Sequence, residues 1–197
     1  MAGLVAETGA VSKRFGIVSD DFSSLYAACA RALECCDMVL ISGGSSVGVR
    51  DYTVEAISAF AGSEILVHGI AISPGKPTIL ARVQHKALWG LPGHVVSAMI
   101  VFTRITRPFL RHIGGRCDPK AAGVAIPARL LRNVASVQGR TDFVRVRLKR
   151  HGSELWADPV LGKSALLNTM VHADGIIEIG KNMEGLDEGA PVEVMLF

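Results

Sequence analysis

The residues Ser42-Gly43-Gly44-Ser45-Ser46-Val47-Gly48 stand between a short apolar run at 38–41 and the polar group Arg50-Asp51-Tyr52-Thr53. Paired glycines let a backbone close on a ligand, and the hydroxyls of Ser42, Ser45 and Ser46 add donors around the same spot. A helix restarting near Thr53 turns its free amides and the positive end of its dipole toward the loop. Strand, glycine-serine loop and helix start together make an anion cradle. The loop matches neither the Gly-Lys-Ser/Thr phosphate loop nor the dinucleotide glycine pattern, and a solvated turn is the competing reading. Asp51 beside such a cradle would repel a bare anion but suits a bound divalent metal. As a helix N-cap it would need no ligand.

Other residues have plainer readings of their own. Asp20, within Ser19-Asp20-Asp21, suits a cap of the helix expected from Phe22. Lys76, in the turn Ser73-Pro74-Gly75-Lys76-Pro77, suits a solvated loop lysine. His94 follows the Pro92-Gly93 turn, where it either caps a long helix, faces solvent or acts as a ligand. His68, on an apolar strand, reads as a core or edge histidine.

The elements that must position these residues alternate. Residues 1–10 read as the tail of a helix, 13–18 as a strand, 22–34 as a helix, 38–41 as a buried strand and 53–60 as a helix. Residues 65–72, 78–83 and 87–91 follow as apolar strands. Residues 95–113 form the longest helical stretch, which Pro108 should kink or end. The alternation predicts an α/β domain, with a mostly parallel sheet and helices on both faces, over residues 1–116. After Gly114-Gly115 the texture turns to short β-patterned runs. Val144, Val146 and Leu148 alternate with Arg145, Arg147 and Lys149 as a half-exposed strand, and His151-Gly152-Ser153 is a hairpin turn. Residues 164–172 suit one short helix, and 176–179 and 192–197 further strands. Residues 117–197 are thus expected to form a small all-β, barrel-like domain.

The loop with Arg50-Asp51-Tyr52-Thr53, the Ser73-Pro74-Gly75-Lys76-Pro77 turn and Gly90-Leu91-Pro92-Gly93-His94-Val95-Val96-Ser97-Ala98 occur in an order that resembles the molybdopterin molybdenumtransferases. These are the molybdate-inserting enzymes of molybdenum cofactor synthesis, represented in animals by the C-terminal part of gephyrin. Gly139-Arg140-Thr141-Asp142-Phe143 and Ala173-Asp174-Gly175 are weaker markers of the same kind. The resemblance implies hydrolysis of adenylated molybdopterin with AMP release and insertion of molybdate, assisted by Mg²⁺. By carry-over, Asp20 and Asp51 are the catalytic and metal-holding carboxylates. Ser42, Gly43, Gly44, Ser45, Ser46 and Gly48 would hold the pterin-phosphate end, and Lys76, Pro92, Gly93 and His94 would line the cofactor and molybdate region. A homodimer is also implied.

The chain departs from that pattern in several places. Gly69 and Ser73 stand where the family usually carries lysines, and Pro92-Gly93-His94-Val95 replaces Pro-Gly-Asn-Pro. The family's N-terminal domains, its first strand and an acidic Thr-Gly-Asp-Glu turn are not in this sequence, so the α/β domain is expected to lack its first strand and the chain to be a fragment. A non-enzymatic or weakened molybdopterin-binding module, and an adenylyltransferase of the same superfamily, are the alternatives. The β-rich tail and the Pro-Gly-Lys-Pro and Leu-Pro-Gly motifs speak against the adenylyltransferase.

Bulk properties describe an ordinary soluble globular protein. At 197 residues, 49% hydrophobic and 20% charged, the chain can bury a real core. A net charge of +3 argues against nucleic acid as a partner. No apolar run approaches the roughly 20 residues that span a bilayer, so no membrane role is expected. Cys29, Cys35, Cys36 and Cys117 show no metal spacing and read as reduced thiols of a cytoplasmic protein.

Overall fold

A short helix, α1 (Ala2–Ala6), opens the chain and closes off at Gly9, whose φ of +85° suits glycine. The structure, a computed structural model, describes residues 1–43, 52–116, 123–162 and 167–197. The expected boundary near Cys117, and Gly44, Ser45, Ser46, Gly48 and Asp51, lie outside the described residues.

Residues 13–18 form no strand. Gly16 at φ +80° breaks the extended run, and Val11 and Ile17 are almost fully exposed. An extended segment without a ladder partner leaves its amides to water, so apolar composition alone does not make a strand. Asp21, extended at φ −138° and ψ 154°, then starts helix α2 (Phe22–Cys35) by accepting the Ser24 amide at 2.8 Å. Small residues Ala28, Cys29 and Ala32 let α2 lie close on the sheet, and Lys86 Nζ donates to the Leu33 carbonyl in its last turn. The two-residue connection Cys36-Asp37 folds the chain back into β1 (Met38–Ser42).

From residue 52 onward come α3 (Tyr52–Ser58), β2 (Ser63–His68), β3 (Ile72–Ser73), β4 (Ile79–Val83) and β5 (Lys86–Leu91). The first sheet has the order β1-β5-β4-β2. β1 and β5 pair in parallel, whereas β4 runs antiparallel to both β5 and β2. Three strands therefore point one way, as the alternation predicts, but two of the three ladders are antiparallel. The cause is local: β4 and β5 are joined by the tight turn Gln84-His85, which forces a hairpin where a crossover helix would be needed for a parallel pair. Ile57, Ala81, Val83 and Leu88 form the core under α2 and α3.

The opposite face of that sheet carries the long helical stretch. It is built from α4 (Val95–Val101), a π-helical turn (Phe102–Thr106) and α5 (Arg107–Ile113), with Trp89 edge-on to Phe109 at 5.5 Å. Pro108 stands in the first turn of α5, just after the earlier segments end at Thr106, and the helical turns continue through it. The π turn passes the Arg107 amide to the Phe102 carbonyl, and this wider turn makes room for a proline that lacks an amide of its own.

The remaining strands are β6 (Ala125–Leu130), β7 (Val134–Ala135), β8 (Thr141–His151), β9 (Glu154–Pro159), β10 (Gly175–Ile179), β11 (Gly185–Leu186) and β12 (Pro191–Leu196), with α6 (Asn168–Val171) before β10. Strands β10-β12-β6-β9-β8 run in order, and a β10–β8 pairing closes the ring. The result is a five-stranded barrel filled by Leu130, Val146, Ala157, Ile177, Ile179 and Val194. Strand β3 adds to β8 in parallel, so Ala71–Pro74 groups with this unit while Gly75–Cys117 returns to the first.

Within β8 the expected alternation fails at Arg145, which is 7% exposed rather than solvent-facing. Its guanidinium reaches the Gly162 carbonyl at 2.8 Å. That charge-assisted bond offsets part of the burial that lowers its pKa. Helix α6 is also shorter than the stretch expected, whose residues 163–166 lie outside the described ones.

Candidate functional site

Two strand ends and one helix start meet at a single edge of the first unit. β1 and β5 are adjacent and parallel, with Ser42 opposite Leu91, so both chains leave the sheet at their carboxyl ends side by side. This is where open α/β sheets hold ligands. The Gly43 amide donates to the Leu91 carbonyl at 3.3 Å. A side-chain carbon built on Gly93 would lie 3.5 Å from Gly43 Cα, so the loop after β1 and the Pro92-Gly93 turn touch backbone to backbone. Gly43 has φ +100°, a conformation that any larger residue would strain.

His94 follows, with φ −73° and ψ 125°, and its carbonyl accepts the Ala98 amide at 2.9 Å. Its imidazole does not cap the helix and the residue is exposed. The backbone of His94 therefore starts α4, while the first-turn amides face the same edge.

Register places Lys76 at this edge as well. Ile79 pairs with Gly90, so the start of β4 lies beside the end of β5, and Lys76 is three residues before it. The loop is fixed by its backbone: the Lys76 carbonyl accepts the amides of Ile70 and Thr78 at 2.9 Å each, and buried Thr78 Oγ1 donates to Gly75 at 2.7 Å. The Lys76 side chain is exposed and makes no hydrogen bond or ion pair among the described residues.

Asp20 reaches the edge by topology. Because α2 folds back along β1, its N-terminus lies at the carboxyl end of that strand, and a 14-residue helix of about 21 Å is long enough to cover it. The cap is Asp21, whose carboxyl is held below the usual carboxylate range by the Ser24 hydrogen bonds. Asp20 is exposed and has no partner among the described residues. The structure thus separates two adjacent carboxylates that sequence alone leaves interchangeable.

Mg²⁺ takes one or two carboxylates, with phosphate and water oxygens completing its shell. Among the described residues no three His, Cys, Asp or Glu side chains gather into a metal cluster. The uncommitted carboxylate of Asp20 fits the sparser requirement of Mg²⁺ by its chemistry.

One positioning residue was not singled out from sequence. Gly90 sits in β5 where a side-chain carbon would meet Ile79 Cβ at 3.1 Å and Thr53 Cγ2 at 3.4 Å. It lets α3 press onto the strand, which sets where that helix starts after the loop. An isolated glycine inside a strand pattern is the signal that marks such close approach. His68 is an exposed residue on the outer strand β2.

Residues 1–112 match the family model described as a probable molybdopterin binding domain, and residues 127–197 match that of the MoeA C-terminal region, domain IV. A Methanocaldococcus jannaschii protein named for molybdopterin biosynthesis is 34% identical over 99% of this chain and 45% of its own length. The molybdopterin molybdenumtransferase of Bacillus subtilis is 27% identical over 97% of this chain and 44% of its own. The crystal structure of a molybdopterin biosynthesis MoeA protein from Pyrococcus horikoshii superposes with a TM-score of 0.82 at 36% identity, covering 99% of this chain and 46% of that one. The chain spans about half the length of the curated relatives it matches.

Proposed function

Since the chain belongs to the molybdopterin-binding domain family, we propose that it forms the cofactor-holding half of a molybdenum-inserting enzyme. In this reading the substrates are adenylated molybdopterin and molybdate, and the products are the molybdenum-loaded cofactor and AMP. The observation that carries it is the backbone contact between Gly43 and the Pro92-Gly93 turn, at the paired carboxyl ends of β1 and β5. The φ of +100° at Gly43 favours glycine, and backbone amides, the Ser42 hydroxyl and Lys76 are groups suited to oxyanions.

Ser42, Gly43, Gly44, Ser45, Ser46 and Gly48 are assigned to the phosphate end of the pterin. Lys76, Pro92, Gly93 and His94 are assigned to the dithiolene and molybdate end, where the Lys76 ammonium would offset oxyanion charge. Asp20 and Asp51 would hold Mg²⁺, which when bound supplies charge neutralisation for cleavage of the phosphoanhydride. The boundary is proposed near residue 117. A homodimer is part of the proposal. A cytoplasmic setting is supported by the free thiols of Cys29, Cys35 and Cys36.

A second reading is a module that binds molybdopterin without turning it over. It is favoured by Gly69, whose φ of +84° suits glycine and disfavours a lysine of the family pattern. Titration with adenylated molybdopterin, following AMP release with and without molybdate, tests the proposal. Molybdate-dependent release, lost with binding retained in Asp51→Ala, supports the enzyme; intact binding without release supports a cofactor-holding half or module that does not turn over alone, and lack of binding overturns both readings.

A further inference from the structure

We propose that Cys35 and Cys36 form a chelating dithiol for neutral or oxyanionic thiophiles, trivalent arsenicals being the chemical class that fits. Neighbouring residues of a regular helix point about 100° apart around the axis, which keeps adjacent side chains from converging. Here the chain changes course between them. Cys35 is the last residue of α2, and Cys36 is extended at φ −130° and ψ 150°. The turn brings the two Sγ atoms to 3.9 Å. Two sulfurs bound at about 2.3 Å to one centre sit roughly 3.8 Å apart at a tetrahedral angle and roughly 3.4 Å apart at the narrower angle of a pyramidal As(III), so a closure of about half an ångström brings this pair to a chelate's bite.

The surroundings select the guest. Lys13 Nζ lies 3.2 Å from Cys35 Sγ and places a cation beside the pair, while burial, and then the hydrogen bond with Cys35, push the Cys36 thiol up. The same charge opposes a dication. No third His, Cys, Asp or Glu joins the pair among the described residues, so the remaining positions on the central atom must come with the guest. Cys35 is exposed and Cys36 half-buried, which leaves the pair open to solvent. Cys29, by contrast, is buried, and burial pushes its thiol up to about 11. The pair lies at the amino end of β1, opposite the edge that carries Ser42 and Gly43, and is separate from the site described above.

The reaction is a ligand exchange without redox change. An arsenical R–As(OH)₂ forms two As–S bonds, loses both As–O bonds and releases two waters, which carry away the two thiol protons. Phenylarsine oxide, hydrated in water to this form, is the probe, and intact mass spectrometry of the reduced full chain reads the adduct. One adduct per chain is expected, resistant to excess monothiol and removed by 2,3-dimercaptopropanol. Cys35→Ser and Cys36→Ser should each abolish the monothiol-resistant adduct, while Cys29→Ser and Cys117→Ser retain it. Lys13→Ala should slow its formation by about two- to fivefold, the range of an exposed ion pair. Circular dichroism of each variant controls for folding, and Cys35→Ala and Cys36→Ala repeat the test without a hydroxyl. An adduct that survives loss of either Cys35 or Cys36, or the lack of a monothiol-resistant adduct in the parent chain, overturns the proposal.

Discussion

Replacing Gly175 with alanine should unseat the barrel. Gly175 pairs with Val146 of β8 on one side and with Leu196 of β12 on the other, so it stands where the ring closes. A side-chain carbon there would lie 2.4 Å from the Met195 carbonyl oxygen and 2.9 Å from Val194 Cγ1. Val194 can adjust, but the carbonyl is fixed in its strand, and relief requires roughly an ångström of separation between β10 and β12. On backbone freedom alone, alanine would gain about 0.4–1 kcal/mol. Overpacking costs about 1–3 kcal/mol, and each ladder hydrogen bond stretched out of range removes about 0.5–1.5 more. The balance is a loss of about 1–3 kcal/mol, a fall on the order of 10 °C in the melting temperature of a unit this size. Thermal unfolding by circular dichroism measures it, with Trp156 of β9 as a fluorescent reporter inside the barrel unit. Gly180→Ala is the control, because a side-chain carbon at Gly180 meets nothing within 4 Å. If Gly175→Ala unfolds together with Gly180→Ala, the seam does not depend on glycine and the reasoning is wrong.

Val95→Pro should leave the fold intact and raise stability by about 0.4–1 kcal/mol in a denaturant titration. The position is the first of α4, and His94 already has the extended backbone that a following proline demands. Asp20→Ala should not move the thermal midpoint yet should lower molybdate-dependent AMP release, whereas Asp21→Ala should lower the midpoint through loss of the α2 cap; equal destabilisation by both would refute the division of roles. Asp158 is held below the usual carboxylate range, first by the Lys149 hydrogen bond and then by Arg132. Its folded pKa lies under the unfolded one, so its stabilisation is present above about pH 4 and is lost as pH falls through the folded value. Asp158→Asn should therefore flatten the acid limb of a stability–pH curve and leave its slope above pH 6 unchanged.

Much of the first unit was legible because its signals are local. The cap before Phe22, the apolar run into Ser42 and the glycine after Pro92 each announce an element or its end without reference to the rest of the chain. The errors arose where a distant partner decides. Residues 13–18 carry strand-like apolar residues, but a strand exists only with a neighbour to share its hydrogen bonds, and no residue pattern shows that neighbour. Arg145 falls on the outward phase of an alternating strand, between Val144 and Val146 of the barrel core, yet the segment from Val160 to Gly162 bonds to it from outside and buries it. The antiparallel insertion of β4 was readable in principle, since Gln84-His85 is too short for a crossover. The weight given to helix–strand alternation obscured it.

The motif residues divide by whether the fold accounts for them. Asp174 Oδ2 accepts the Leu148 amide at 2.7 Å and Gly175 closes the barrel, so Ala173-Asp174-Gly175 has a complete structural explanation. Asp142 accepts Ser136 Oγ at 2.8 Å and Arg140 Nη2 at 3.3 Å, while Arg140 Nε lies 2.8 Å from its other oxygen without the alignment of a hydrogen bond. That cluster stands opposite Ser73 in the β3–β8 ladder and fastens the strand. Resemblance at such positions reports that two chains fold alike. Asp20 and Lys76 differ in kind: both are exposed, and neither side chain has a partner among the described residues. No contact among the described residues accounts for their identity, so the proposed function gives them one: Lys76 would meet an oxyanion and Asp20 its divalent counter-ion, and the Asp20→Ala comparison above tests the second role.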